Sequence, residues 1–311
     1  MTRHHVMPAT PEATVWGYFD AAEAPYLEID SGDTVDVRCM PAGGGVFLPS
    51  DPAMLPPQYA AILKDVPKQG THIITKPIYV KGAVPGDVLQ IDILDIKAWM
   101  DWGFTAILPL KGTIPEDFDI TEIVHPRIDH TDNTCVLPWG TRIPMDPFFG
   151  VMAVAPPPGW GRQDTMVPRV FGGNMDNKEL RKGVTLYLPV FNDGALFSIG
   201  DGHGVQGDGE VCVTALETGL EGRLRLTVRK DLDYKSPFAE NPTHLMSIGL
   251  DEDLDDAAKQ AVREMVAHVC RRTNLSPSQA YMLTSLAGDL RVTQTVDGNK
   301  GVHMLLAKAY L

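Results

Sequence analysis

Residues 200–210 read Gly-Asp-Gly-His-Gly-Val-Gln-Gly-Asp-Gly-Glu, five glycines in eleven positions, with Asp201, His203, Gln206, Asp208 and Glu210 between them. The segment has almost no apolar side chain to bury, so packing alone does not account for it. Glycine lets a backbone enter left-handed conformations and approach a ligand closely. Carboxylates and an imidazole are donors that Zn²⁺ or Ca²⁺ accepts. A hairpin loop of solvated acids would have the same composition, and Asp-x-His alone is a weak metal pattern, so both readings stay open at this point. Apolar runs at 195–199 and 211–216 flank the segment and are expected to be strands.

That expectation ranks the acids. If 210–217 is a regular strand, residues seven apart point to opposite faces and lie roughly 23 Å apart. Glu210 is then the better neighbour for His203, and Glu217 is expected to be an exposed or edge carboxylate.

The surrounding elements read mainly as β. Segments 25–39 and 77–96 share one grammar: an apolar run, a Gly-Asp turn, then alternating Val35 and Val37, or Val88, Leu89, Ile91 and Ile93. Period-two patterning beside such a turn signals a hairpin, so the two segments are either two hairpins or a weak internal repeat. Residues 41–75 are rich in Gly and Pro without a clean period, and 97–182 carry many loop signals; long irregular stretches in a compact fold usually serve function or a partner. Near the C-terminus Leu254, Ala257, Ala258, Ala261, Val262, Met265, Val266 and Val269 recur at spacings of three and four, one face of a helix. Asp251, Asp253, Asp255 and Asp256 sit at its start and Arg271 and Arg272 at its end, matching the helix dipole. Ser276, Pro277 and Gln279 then form a capping-box start for a second helix closed by Gly288, and 289–296 alternates as a strand. The expected fold is mainly β, antiparallel sheets in a β-sandwich-like core, with a helical hairpin over about 252–287. The chain is expected to be one unit over 1–311, with two β subdomains at about 1–170 and 171–311 as a variant.

Composition narrows the classes. With 40 Asp and Glu against 27 Lys and Arg the formal net charge is −13, a field that repels phosphate backbones; nucleic acid is not an expected partner. There is no apolar run near the roughly 20 residues of a transmembrane helix, so no membrane partner is expected either. No GxxxxGK[ST] or strand–GxGxxG–helix unit points to nucleotide. Cys39, Cys135, Cys212 and Cys270 are scattered with no CxxC pair, and the N-terminus lacks the apolar stretch of a secretory signal. A cytoplasmic protein with reduced thiols is the expectation.

Longer motifs carry more information. GGNMDNKELRKG (172–183), followed by LYLPVFNDGALFSIGDGHGVQGDGEVC (186–212), resembles the signature of the acetamidase/formamidase family. The resemblance extends to KPIYVKGAVPGDVLQIDILDI (76–96), to 147–156 and to 285–303, and so covers roughly residues 25–305. It implies a mainly β amide C–N hydrolase that forms dimers or higher oligomers and holds a divalent metal, zinc, with calcium as a candidate second ion. Phe191 departs from the more apolar residue that family members often carry in this turn, which bears on substrate size.

On this reading His203, inside the family's Gly-Asp-Gly-His run, is the first metal-ligand candidate; Asp201 could share the ion, and Asp176 joins from the preceding turn. The bland alternatives are a surface histidine, an Asx-turn residue and a helix N-cap respectively. Glu210 is the candidate general base, with Asp208 able to exchange roles with it. Gln206 and Asn174 carry amide groups suited to a carboxamide substrate or its oxyanion. His72 matches a family position and could reach the site; His4 and His5 are expected to be disordered, and His244 and His303 to be structural. Trp139 and Trp160 could wall a pocket. Metal-assisted hydrolysis of a small linear carboxamide to carboxylate and ammonia leads; a non-catalytic divalent-metal or small-ligand binder is the alternative.

Overall fold

The computed structural model describes residues 2–311. It is mainly β, 39% strand and 16% helix, with three α-helices. The centre is a 20-residue strand, Val88–Ile107, in which Val88, Leu89, Ile91 and Ile93 are buried as their alternation requires. It runs antiparallel to Glu217–Arg229 along nearly its whole length, with Leu226 opposite Ile91 and Glu217 opposite Phe104. Thr185–Pro189 lies on its other side, and Thr34–Arg38 adds to the far edge of 217–229.

The two Gly-Asp segments do not close into hairpins. Their first strands, Leu27–Ile29 and Ile78–Val80, pair with each other in parallel. Their second strands, Thr34–Arg38 and Val88–Ile107, flank the 217–229 strand from opposite sides. The local turn signal was right; the pairing was decided by the burial each strand gains against the common core. His4 and His5, expected to be disordered, lie in the strand His4–Met7, which runs parallel to 34–38, and His5 Nε2 sits 2.8 Å from Asp33 Oδ2.

The main core draws buried side chains from Met7 to Leu305 and so spans both halves of the sequence. A second cluster lies under the helical pair. There α2, Leu254–Arg272, buries Ala257, Ala261, Met265 and Val269, and Asp253 caps it by accepting from the Asp255 and Asp256 amides. The second of the pair, α3, Pro277–Ala287, has the full Ser276/Gln279 capping box. The pair packs on Gly288–Gln294, Lys300–Ala307 and His244–Asp251. A short helix, α1, Pro57–Asp65, lies inside the Gly- and Pro-rich stretch and was not expected; it buries Tyr59 and Ile62. Trp16 and Trp102 are core residues, whereas Trp139 and Trp160 are exposed.

Candidate active site

The Gly-rich segment does not form one loop. Ser198–His203 is a fully buried strand between Phe148–Ala153 and the start of 217–229. Its glycines are there because the neighbouring backbone is close: a Cβ on Gly202 would lie 2.4 Å from the Thr218 carbonyl, and one on Gly200 2.4 Å from that of Ile73. His203 is 1% exposed, its ring edge-on to Phe148. Directly across the ladder stands Glu217, and cross-strand neighbours are the residues whose side chains meet. Glu217 is therefore buried in the site, not at an edge. The expectation of a regular 210–217 strand fails because Glu210 (φ 45°) and Val213 (φ 83°) turn the chain through left-handed conformations, and the strand begins only at Glu217. The backbone folds back between the two glutamates, and both line one cavity.

That cavity, about 170 Å³, brings together Asn174, Asp176, Asp201, His203, Glu210 and Glu217, with His72 and Asp297 beside them. It is smaller than the roughly 300–1,000 Å³ of pockets for drug-sized ligands. Four of the eight non-glycine residues with left-handed backbone among the described residues, Asp176, Asp201, Glu210 and Val213, line it. Such strain persists where surrounding structure enforces it, and it clusters at functional sites.

The orientation of His203 follows from Gln206. The Gln206 Nε2 donates to the Asp176 carbonyl at 2.8 Å, which leaves Oε1 facing His203 Nδ1 at 2.9 Å. An acceptor there assigns one proton to Nδ1 and leaves Nε2 as the ring atom that a cation would meet in place of a proton. Nε2 points at Asp201 Oδ2 and Glu217 Oε1, each at 3.2 Å. Three donor atoms converge on one point, and Asp201 Oδ1 and Glu217 Oε2 have no protein partner. Buried carboxylates need a positive charge beside them, from a protonated imidazole or a cation, and one imidazole with carboxylates suits Zn²⁺. The donor set and its orphaned oxygens thus fit a divalent cation.

Asp176 lies on the other side of the ring, with Oδ1 3.7 Å from Nδ1. It forms a second cluster with His203 and Glu210, and Asp176, Glu210, Asp297 and Asn174 each keep an unpartnered buried oxygen. Gln206 uses both ends of its amide on the protein, so it holds the imidazole. Asp208 is outside the cavity, paired with Lys178 at 3.1 Å and partly exposed; it is not placed to exchange roles with Glu210. His72 does reach the site: its Nδ1 meets Thr165 at 3.0 Å and its Nε2 lies 3.8 Å from Asp201 Oδ2. Trp139 lines a separate outer cavity beyond the 205–216 segment.

The electrostatics follow from burial. Burial, then the Asp176 charge, pushes the Glu210 carboxyl well up, and burial raises Glu217 to about 7. Burial also raises Asp176 and Asp297, each reinforced by neighbouring acids. Against its own burial, Asp201 is held below the carboxylate range by the imidazoles of His72 and His203.

Two positions at this cluster escaped the sequence reading. Asp297 enters the cavity because Gln294 Oε1 accepts from its amide, while Thr293 and Thr295 pin the backbone of Gly209. The Asp-Gly turn after the 289–296 alternation was its only signal. Gly150 backs the two carboxylates: a Cβ there would lie 2.3 Å from Asp176 Oδ1 and 2.7 Å from Asp201 Oδ2. No pattern in the surrounding apolar run announces that.

A formamidase of Methylophilus methylotrophus is 31% identical over 59% of this chain and 56% of its own length. The chain therefore spans little more than half of that curated relative. The crystal structure of an acetamidase from Bacillus halodurans is 33% identical and aligns with a TM-score of 0.84 over 99% of this chain and 98% of that one. A structure from Thermoanaerobacter tengcongensis, described as a predicted acetamidase/formamidase, is 27% identical with a TM-score of 0.87 over 100% and 98%. The model of the Acetamidase/Formamidase family matches residues 18–159 and 161–307. The chain belongs to the acetamidase/formamidase family.

Proposed function

We propose that this chain hydrolyses the C–N bond of a small linear carboxamide, yielding the carboxylate and ammonia, with a divalent cation held by His203, Asp201 and Glu217. The observation that carries the reading is the Nε2 of His203, aimed by Gln206 at two buried carboxylates that line a small cavity. The N/O donor set favours zinc. Asp176 and Asp297, each with an unpartnered buried oxygen, have the donor chemistry of a harder ion such as calcium.

When bound, the cation supplies a Lewis acid for the amide carbonyl and acidifies a water molecule. Glu210, which lines the same cavity, would take the proton of the attacking water and pass it to the leaving nitrogen, so water is divided between carboxylate and ammonia. A carboxyl raised by burial suits both the accepting and the donating step. Asn174 Oδ1, unpartnered and facing the cavity, accepts from the substrate amide N–H. Gln206 keeps the imidazole tautomer.

The same reading makes the chain one folding unit, supported by a core that runs from Met7 to Leu305, and a cytoplasmic protein, in keeping with four unpaired cysteines. No helix among the described residues is long and apolar enough to cross a membrane. Copies associate as a dimer or higher oligomer. Supporting this, Tyr281, Met282, Leu286 and Leu290 stand exposed on α3 and the adjoining strand 288–294.

Ammonia release from formamide, acetamide and propionamide tests the reading. Wild type should turn over at least one of them, and Glu217→Gln should lose both bound metal and turnover. A metal-loaded wild type inert on all three overturns it.

A further inference from the structure

The cavity has two kinds of lining. Beside the polar groups the lining includes the apolar side chains of Phe47, Phe104, Leu108 and Val213. Phe104 is fixed by the sheet: it is 2% exposed and sits directly across the ladder from Glu217. Phe47 is different. It ends a single 3₁₀ turn, Gly45–Phe47, is half-buried, and stacks on Phe104 with ring centroids 4.9 Å apart and planes 24° apart.

The turn that delivers this ring is built for it. Gly43, Gly44 and Gly45 have φ of 89°, 66° and 62°, three left-handed residues in succession. A Cβ on Gly43 would lie 2.4 Å from the Phe47 ring, and one on Gly44 would lie 2.7 Å from Leu63 and 3.1 Å from Trp16. The turn is tied down at several points. Gly43 N–H donates to the Thr71 carbonyl at 3.2 Å, Lys68 Nζ donates to the Gly43 carbonyl at 2.7 Å, and the His125 ring donates to the Phe47 carbonyl at 2.9 Å. Three strained glycines and these ties hold one aromatic ring against the cavity.

We propose that Phe47 sets the length of the acyl chain the site accepts, restricting it to carboxamides with short, unbranched acyl groups. This rests on the amide-hydrolase reading above. With the carboxamide on the polar groups, the acyl group meets the apolar side chains, and the Phe47 ring limits the space left to it. Phe104 cannot yield, being locked in the central strand; Phe47, on a turn and half-buried, is the part of the apolar lining whose size can change without disturbing the polar groups. A methylene gained or refused in an apolar pocket is worth roughly 10–200-fold in specificity.

The test measures kcat/KM for formamide, acetamide, propionamide, butyramide and hexanamide by ammonia release, in wild type, Phe47→Leu and Phe47→Ala, with thermal unfolding of each. The expected result is a tenfold or greater rise in the butyramide-to-acetamide ratio, larger for Ala than for Leu, carried by KM for the longer amides. If Phe47→Ala fails to fold, the milder Leu variant still decides. An active wild type whose ratios stay within threefold in the folded variants overturns this assignment alone. A wild type that releases ammonia from none of the amides overturns the amide-hydrolase reading and this assignment with it.

Discussion

Gly150→Ala adds one methyl group at the point where the site rests on its sheet. Gly150 lies inside the strand Phe148–Ala153, and its backbone is not in the left-handed region, so alanine meets no conformational penalty there. The effect is steric. The new Cβ would lie 2.3 Å from Asp176 Oδ1, 2.7 Å from Asp201 Oδ2 and 2.9 Å from His203 Cε1, where ordinary contact begins at 3.4 Å. Both carboxylates must retreat, Asp176 by about 1 Å, and a displacement of that size at a reacting centre costs on the order of 10²-fold in rate. Overpacking a buried site also costs about 1–3 kcal/mol of stability. The assay is kcat/KM for the best amide together with metal content and thermal midpoint on the same preparation. The expected variant is folded, with a lowered midpoint, weakened metal retention and kcat/KM down by about 10²-fold. A variant within threefold of wild type in rate and equal in metal would refute the argument that these carboxylates must sit where the structure puts them.

Glu210→Gln should lower kcat by about 10²–10⁴-fold with metal content retained; loss of metal as well would make Glu210 a ligand. Because the Asp176 charge adds to burial in raising Glu210, Asp176→Asn should move the acid limb of kcat/KM to lower pH, and a limb that stays or moves up contradicts the coupling. Glu217 is raised from 4.5 to about 7, so the stabilisation present below 4.5 is lost as pH rises through 7, on the order of 3 kcal/mol. His203, also raised, has the same sign, and Asp201, lowered, acts below this window. Chelated protein should therefore lose thermal midpoint between pH 4.5 and 7 and regain it at pH 7 on adding Zn²⁺; a flat profile contradicts this. Leu286→Glu should shift sedimentation toward the monomer with turnover retained, and an unchanged species moves the interface elsewhere.

What sequence could show was whatever is local. The amphipathic α2, the capping box at Ser276 and the alternation at 88–93 are set by neighbours within a few residues, and each appears where expected. Pairing is not local: the Gly-Asp segments turn as read but pair with each other and with 217–229. The site divides the same way. His203 and Asp201 stand out by composition. Glu217 was misplaced because a period-two rule assumes extended backbone, and Glu210 and Val213 are not extended. Asp208 looked equivalent to Glu210 two positions away, yet its pairing with Lys178 draws it out of the cavity. Gly150 and Asp297 matter through contacts with residues far along the chain, which spacing does not encode.

The most direct test of the account is ammonia release by protein stripped with chelator and then titrated with Zn²⁺, with bound metal measured at each point. The account predicts that stripped protein is inert toward every amide wild type hydrolyses, and that turnover returns in proportion to metal bound, in wild type but not in His203→Ala. Full turnover by protein shown to be free of metal, or reconstitution of His203→Ala to the wild-type rate, would contradict it.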